Sequence, residues 1–391
     1  MRILYFIPRY DPALMGNRIH AEVIEVWRTH GIEAEVLTLT AGISRPVSEV
    51  QDGIAVHRLP ASAGRVVKLA NGALNLALHY PYLAGALLHY RRFIRRRRYD
   101  LAHIETAFPL GLIAALTPRA LQPPLAITLP GADIMSEPQY DYGYGRFLGV
   151  RALLPLVFRR AAVLRADSPQ IRELAIRLGA PPDRVTAIPY NITADSYPPA
   201  GADLAQLRAQ SRAAVTAQHN LDPARPLIVS LNRLHPFKGF KYLVEALPEV
   251  RRAGLDPQVL IVGPNRVTPQ FGDHAAYLKE RAVSLGVADA MTFVGAVEHA
   301  RTLDYLAAAD AVVVASVAES FSRVAVEAAA AGTPVVVTRT TGASDYMREC
   351  GLVVEPRSGP AIAYAIAQLL SDQPLWERFS MQGPRTAAAF S

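Results

Sequence analysis

Cysteine is almost absent. The one residue of its kind in 391, Cys350, cannot form an internal disulfide or build a Cys-rich zinc site, so a reducing cytosol is the expected compartment. No Asp-x-Asp triplet and no tight His/carboxylate cluster demands a divalent ion, and the residues by themselves ask for no metal or other cofactor. No Gly-x-Gly-x-x-Gly follows the first apolar run, where Arg9-Tyr-Asp-Pro-Ala-Leu-Met-Gly16 stands instead; this argues against a nicotinamide-dependent oxidoreductase. Nucleic-acid binding lacks both a recognition motif and aromatic platforms beside the charge. The opening Met1-Arg-Ile-Leu-Tyr-Phe-Ile-Pro8 is too short an apolar run for a signal peptide and reads as a buried first strand. Leu69 to Tyr90 carries no formal charge over 22 residues, but Asn71, Gly72, Asn75, His79, Pro81 and His89 make it a poor spanning helix. No long repeat is visible, and the low-complexity content is confined to Ala328–Ala331.

What is present is apolar and basic. The chain is 51% hydrophobic and 19% charged, which excludes a disordered or fibrous protein. Its length favours two or three domains. Lys and Arg total 41 against 34 acids, giving +7, a balance that suits an anionic partner without choosing one. Short continuous apolar runs alternate with helical patterns: Ile3–Ile7, Ala34–Thr38, Leu101–Ile104, Leu125–Leu129 and Val163–Ala166, then Pro226–Ser230, Gln258–Val262, Met291–Val294, Ala311–Ala315 and Pro334–Thr338. Such strands belong to parallel sheets covered on both faces, so the class is α/β, doubly wound. A turn-rich stretch near 190–200, with Tyr197-Pro-Pro-Ala-Gly201, interrupts the alternation. It divides the chain into expected domains of 1–195 and 196–391, two Rossmann-like halves with a ligand crevice at their strand carboxyl ends.

Three segments could carry chemistry. In the first, a strand from Ala311 runs into a loop with Glu319, then a helix starting near Ser320 to Ser322, whose hydroxyls can cap it. The first-turn N–H groups of that helix favour a phosphate, and Glu327 farther along it suits sugar hydroxyls. A capped helix with one solvated Glu fits the same residues. In the second, Arg233 and Lys238-Gly239 lie between a strand and a helix, where two cations suit a diphosphate and equally suit a solvated turn. The third, Leu260-Ile-Val-Gly263, is a strand ending in a glycine turn.

Together these segments resemble the retaining glycosyltransferases of family four, glycosyl transferase group 1 type, whose GT-B fold sets two Rossmann-like domains facing a central cleft. The most specific mark is Glu319 and Glu327 within Ala318-Glu-Ser-Phe-Ser-Arg-Val-Ala-Val-Glu-Ala328. Arg233 with Lys238-Gly239, Phe293-Val-Gly295, Gly332-Thr-Pro-Val-Val and Thr341-Gly-Ala343 support it, as do Gly16 before the helix holding His20 and Tyr99-Asp-Leu-Ala-His103. The resemblance implies a metal-independent hexosyltransferase moving sugar from a nucleotide-diphosphate donor to a glycan, lipid-linked or small-molecule hydroxyl, in polysaccharide or cell-envelope synthesis. It implies Arg233, Lys238 and Glu319 as catalytic residues. Gly16, Gly263, Ser320, Phe321, Ser322, Arg323, Val324 and Glu327 would hold the donor, with Glu327 on the ribose; Asn17, His103 and Asp133 are acceptor-side candidates.

Two departures stand out. Pro130, in Thr128-Leu-Pro-Gly-Ala-Asp133, occupies the place where many members carry a histidine near the reacting sugar, and proline offers no donor. Gly16-Asn17 replaces a common Gly-Gly. The chain also stops at Ala387–Ser391, about where the resemblance leads into a final crossover helix. Pro130 favours a second reading, a non-catalytic nucleotide-sugar-binding or partner subunit of the same fold; the retained donor-side residues oppose it. Finally, Arg91–Arg98 packs six arginines into eight positions. This cluster suits peripheral contact with anionic lipid at the inner membrane face and equally suits a basic last turn opposing a helix dipole.

Overall fold

Strand alternation accounts for the way each sheet is buried. A computed structural model describes residues 1–11, 15–61 and 64–391, the side chains of 15–17 and 65–66 excepted. The first unit, Met1–Pro189, contains β1 (Arg2–Phe6), β2 (Glu33–Thr40), β3 (Val47–Gln51), β4 (Ile54–Pro60), β5 (Leu101–Glu105), β6 (Leu125–Leu129), β7 (Val163–Ala166) and β8 (Val185–Ala187). Their order is β3-β4-β2-β1-β5-β6-β7-β8, all parallel except the β3–β4 hairpin. Successive side chains of a strand point to opposite faces. Leu4 and Phe6 therefore join one core, where Phe6 stacks on Tyr90 of the helix Leu83–Arg95. Tyr5 and Ile7 join the other, with Ile24 of the helix Met15–Thr29.

The second unit, Tyr190–Ser391, contains β9 (Leu227–Leu231), β10 (Gln258–Val262), β11 (Met291–Gly295), β12 (Ala311–Val314), β13 (Val335–Thr338) and β14 (Gly351–Val354). These are all parallel, in the order β11-β10-β9-β12-β13-β14. Val312 and Val314 face the helices Thr302–Ala308 and Arg323–Ala330, whereas Val313 faces Phe240–Arg252 and Gly359–Ser371. The alanine tract has a packing reason: the helix Arg323–Ala330 lies close against Gln373–Ala387 where Ala329 meets Gly383.

The ten expected strands are all present, and four more join them. The segment 190–195, assigned in the sequence to the first domain, packs with the second. Ile192 is buried in that core and its N–H donates to the Phe390 carbonyl at 3.0 Å. Gly16 and Asn17 fall inside the helix Met15–Thr29 rather than before it, and the Asn17 side chain lies outside what the structure describes. The uncharged stretch from Leu69 is broken between Leu78 and Leu83, so two helices share it. Among the described residues no helix is long and apolar enough to cross a membrane.

Candidate active site

Chemistry in the second unit gathers where β9 and β12 end. After β12 the chain enters a loop whose backbone is tied to the loop after β13: the Glu319 N–H donates to the Thr340 carbonyl at 3.2 Å, and the Gly342 N–H to the Glu319 carbonyl at 2.9 Å. This fixes the Glu319 carboxylate. One of its oxygens accepts from Lys238 Nζ at 2.6 Å, the other from the Ser316 hydroxyl at 2.6 Å. Lys238 is 8% exposed and Glu319 13%, so the pair is largely withdrawn from water, where a charge-assisted contact is strong.

Lys238 reaches that place because Gly239 sits at φ +71°, where a Cβ would lie 1.9 Å from the Ala315 carbonyl oxygen. The turn thus lies directly on the end of β12, and only glycine permits it. Gly263 has the same kind of role at the end of β10: at φ +140°, its missing Cβ makes room for the Asn232 carbonyl. Arg233 is exposed and Arg323 half-buried, and no carboxylate pairs with either among the described residues. Among the described residues, then, Lys238 is ion-paired and these two arginines are not.

The helix Arg323–Ala330 begins one residue later than the serines suggested. Ser322 stands at its N-cap with φ +88° and makes no capping bond; its buried hydroxyl has no hydrogen-bond partner among the described residues. The capping expectation therefore fails, and the strained conformation is the reason: at positive φ the hydroxyl is carried away from the first-turn N–H groups. Those N–H groups lack a side-chain cap. Phe321 is a core residue, packed on Phe390 and Tyr346, so only its backbone is available to a ligand. Val324 is partly buried against the same core.

Glu327 is 6% exposed. Burial raises its carboxyl above the ordinary range, against the opposing pull of Arg323 and His299. Its Oε1 accepts from the Ser196 hydroxyl at 3.1 Å, and no hydrogen bond engages Oε2 among the described residues. His299 Nε2 lies 3.2 Å from Ser196 Oγ and 3.3 Å from Asp195 Oδ1. Sequence reasoning missed Asp195, Ser196 and His299 because more than a hundred residues separate His299 from the other two. The only available signal was a polar cluster, Thr193 to Ser196, in a stretch read as linker.

The first unit contributes a cavity of about 330 Å³ at the carboxyl ends of β1, β5 and β6. Tyr80, Tyr82, Phe108 and Tyr144 form much of its wall, with Thr106 and Asp133 among the polar groups. Pro130 stands in the same wall, so no side-chain donor faces the cavity from that position. Thr106 has φ +127° and a buried hydroxyl with no hydrogen-bond partner among the described residues. Asp133 is 2% exposed, and its carboxylate accepts from the Ala107 N–H at 2.6 Å and the Gly131 N–H at 3.1 Å.

His103 is not brought to this cavity. On β5 its Nε2 contacts the Thr128 hydroxyl at 2.8 Å, and its ring packs against Tyr5 and Trp27. Burial lowers its pKa. His20 is bound nearby, with Nδ1 2.6 Å from the Tyr5 hydroxyl. Both histidines fill interior positions.

Burial pushes the Asp133 carboxyl from 3.8 up to about 7, despite its two N–H donors. A carboxyl that holds its proton more tightly folded than unfolded favours the folded state below its unfolded pKa. That advantage is lost as pH rises through the folded value. Stability is therefore expected to fall between pH 4 and 7 by at most roughly 1.4 kcal/mol per pH unit from this group. Equilibrium unfolding across that range should show a flatter profile for Asp133→Asn; parallel profiles would remove the assignment.

Among the described residues no group of three or more His, Cys, Asp or Glu side chains is placed to hold a metal ion. The chain matches the family described as Glycosyl transferases group 1 over residues 211–386, and the Glycosyl transferase 4-like domain over residues 16–191. It is 31% identical over 372 residues to a D-inositol 3-phosphate glycosyltransferase of Nocardia farcinica, covering 92% of this chain and 78% of that one. It is 30% identical over 292 residues to a GDP-mannose-dependent alpha-(1-6)-phosphatidylinositol monomannoside mannosyltransferase of Mycobacterium tuberculosis, covering 72% and 70%. Among solved structures, a sucrose-phosphate synthase of Thermosynechococcus elongatus superposes with a TM-score of 0.75 at 21% identity, over 100% of this chain and 95% of that one. With its two doubly wound sheets and these matches, the chain belongs to the group 1, family-four-like glycosyltransferases of GT-B fold, enzymes that transfer a sugar from a nucleotide-sugar donor.

Proposed function

We propose that the second unit is the donor side and the first the acceptor side of a hexosyltransferase that retains anomeric configuration. Glu327 offers its unengaged Oε2 to ribose hydroxyls of the nucleotide. Glu319, held by Lys238 and Ser316, faces hydroxyls of the transferred hexose. Arg233, Lys238 and the uncapped N–H groups at Arg323 and Val324 stabilise the diphosphate as it leaves, with the backbone of Ser320 to Ser322 and Gly263 completing the pocket. The reading rests chiefly on one observation: Lys238 and Glu319, 81 residues apart in sequence, meet at 2.6 Å where the turn after β9 lies on the end of β12.

Catalysis is then mainly charge stabilisation of the leaving group. Pro130 leaves the first unit without a side-chain donor at its position, so the burden falls on the second. The aromatic cavity with Asp133 receives the acceptor. Relatives named for inositol phosphate and phosphatidylinositol mannoside acceptors support a hydroxylated ring as the group presented there. The basic Arg91–Arg98 cluster supports peripheral contact with an anionic membrane. The test is a panel of nucleotide-diphosphate sugars, read by thermal shift, nucleotide release and the anomeric configuration of the product. One donor should stabilise the protein, release nucleotide slowly and give a retained product. No stabilisation by any donor sinks the donor-site assignment, and an inverted product sinks retention.

A further inference from the structure

Acid is missing from three neighbouring helices packed on one core of the first unit. The helices Arg65–Leu78, Leu83–Arg95 and Leu148–Arg160 carry eight Lys and Arg residues and no Asp or Glu. No acidic residue occurs anywhere between Asp52 and Asp100. Among the described residues none of those basic side chains enters a salt bridge. In a chain whose surface elsewhere is laced with ion pairs, this layer is uniformly positive.

The same layer holds the three most exposed large apolar side chains among the described residues: Leu76 at 84%, Leu148 at 80% and Leu69 at 78%. Leu69 and Leu76 are seven residues apart, hence on one side of their helix. Its opposite side is anchored by buried Asn71, whose Oδ1 accepts the Ala84 N–H at 2.8 Å. Leu148 is brought alongside because Gly149 lets the third helix approach: a Cβ there would lie 2.3 Å from the Ala77 carbonyl. Ala73 and Ala77, both exposed, continue the apolar strip, and Lys68 and Arg151 flank it.

We infer that this face docks on an anionic lipid bilayer, the leucines entering the interface and the basic residues meeting the headgroups. The inference rests on the proposed peripheral contact and moves its centre from Arg91–Arg98 to the leucine ridge. Charge alone would serve a nucleic acid equally well, but outward leucines gain nothing from a polyphosphate and gain much from the acyl boundary. The turn after the first helix adds a functional reason. Tyr80 and Tyr82 of that turn line the acceptor-side cavity, so a lipid-anchored acceptor would meet it beside the bilayer.

Co-sedimentation of the whole chain with vesicles tests this, using phosphatidylcholine alone and an equimolar mixture with phosphatidylglycerol. Binding is expected only to the mixed vesicles. Leu69→Glu/Leu76→Glu should weaken it by about tenfold or more, while nucleotide release from the donor stays at the parent level. Arg95→Glu/Arg96→Glu should weaken it less. Three results overturn the proposal: vesicle binding indifferent to the leucines, binding to single-stranded RNA in place of vesicles, or a leucine-dependent dimer that ignores vesicles. Because nucleotide release is read on the same samples, failure of docking and failure of the donor-site reading are seen separately. If only the Arg95/Arg96 variant loses binding, the peripheral contact stands and the leucine ridge does not.

Discussion

Lys238→Met is expected to lower kcat by about 10²–10³, equivalent to ~2.7–4 kcal/mol, with a much smaller change in donor KM. In the role proposed for it, the ammonium meets negative charge that grows as the sugar–phosphate bond breaks, so its worth is greatest in the transition state. The substitution also strands Glu319, which among the described residues keeps only the Ser316 hydroxyl as a side-chain donor. A largely buried carboxylate without its cation destabilises the fold. The double variant Lys238→Met/Glu319→Gln should therefore recover thermal stability without recovering turnover. Steady-state kinetics and melting of the two variants separate these effects. A defect confined to KM, or turnover regained in the double variant, would contradict the role given to Lys238.

Glu327→Gln should move binding and stability in opposite directions. The neutral amide would weaken the proposed charge-assisted contact to ribose hydroxyls, worth about 1.5–3 kcal/mol, so donor affinity should fall about 10–100-fold. Yet the native carboxyl is held above its ordinary range by burial, and ionising it near neutral pH opposes folding. Removing the charge removes that opposition, so the variant should melt no lower than the parent. Calorimetric titration with nucleotide and thermal melting at neutral pH provide the two readings. Unchanged affinity with lowered stability would make Glu327 a structural residue only.

Much of the architecture was legible because buried parallel strands are continuous apolar runs, as in Val312 to Val314 or Leu260 to Val262. The strands that escaped are those that depart from that pattern. β3 is polar and almost wholly exposed, and β4 interrupts its apolar residues with His57 and Arg58. β8 and β14 are edge strands only three and four residues long. Glu319, Glu327, Arg233 and Lys238 could be singled out because each sits in a short local motif.

Their partners could not be. Ser196 and His299 find one another through the fold, as do Lys238 and Glu319. Nor does a sequence show that Ser322 would take a positive φ and forfeit its capping bond. The surroundings of His103 were hidden for a related reason: a histidine on a strand gives no sign of which face it occupies until the register is known, and here the pairing of Tyr5 with His103 sets its ring against Tyr5 and Trp27.

The tie between the segment 190–196 and the rest of the second unit governs how the protein can be cut and recombined. A fragment beginning at residue 196 would lose Ile192 from the core and the N–H that meets the Phe390 carbonyl. It would also lose Asp195 from beside His299. One beginning at Tyr190 keeps every one of these. Hybrids that pair this second unit with a foreign first unit should therefore be joined ahead of Tyr190. A splice a few residues later would import a stranger's side chain as the neighbour of Glu327.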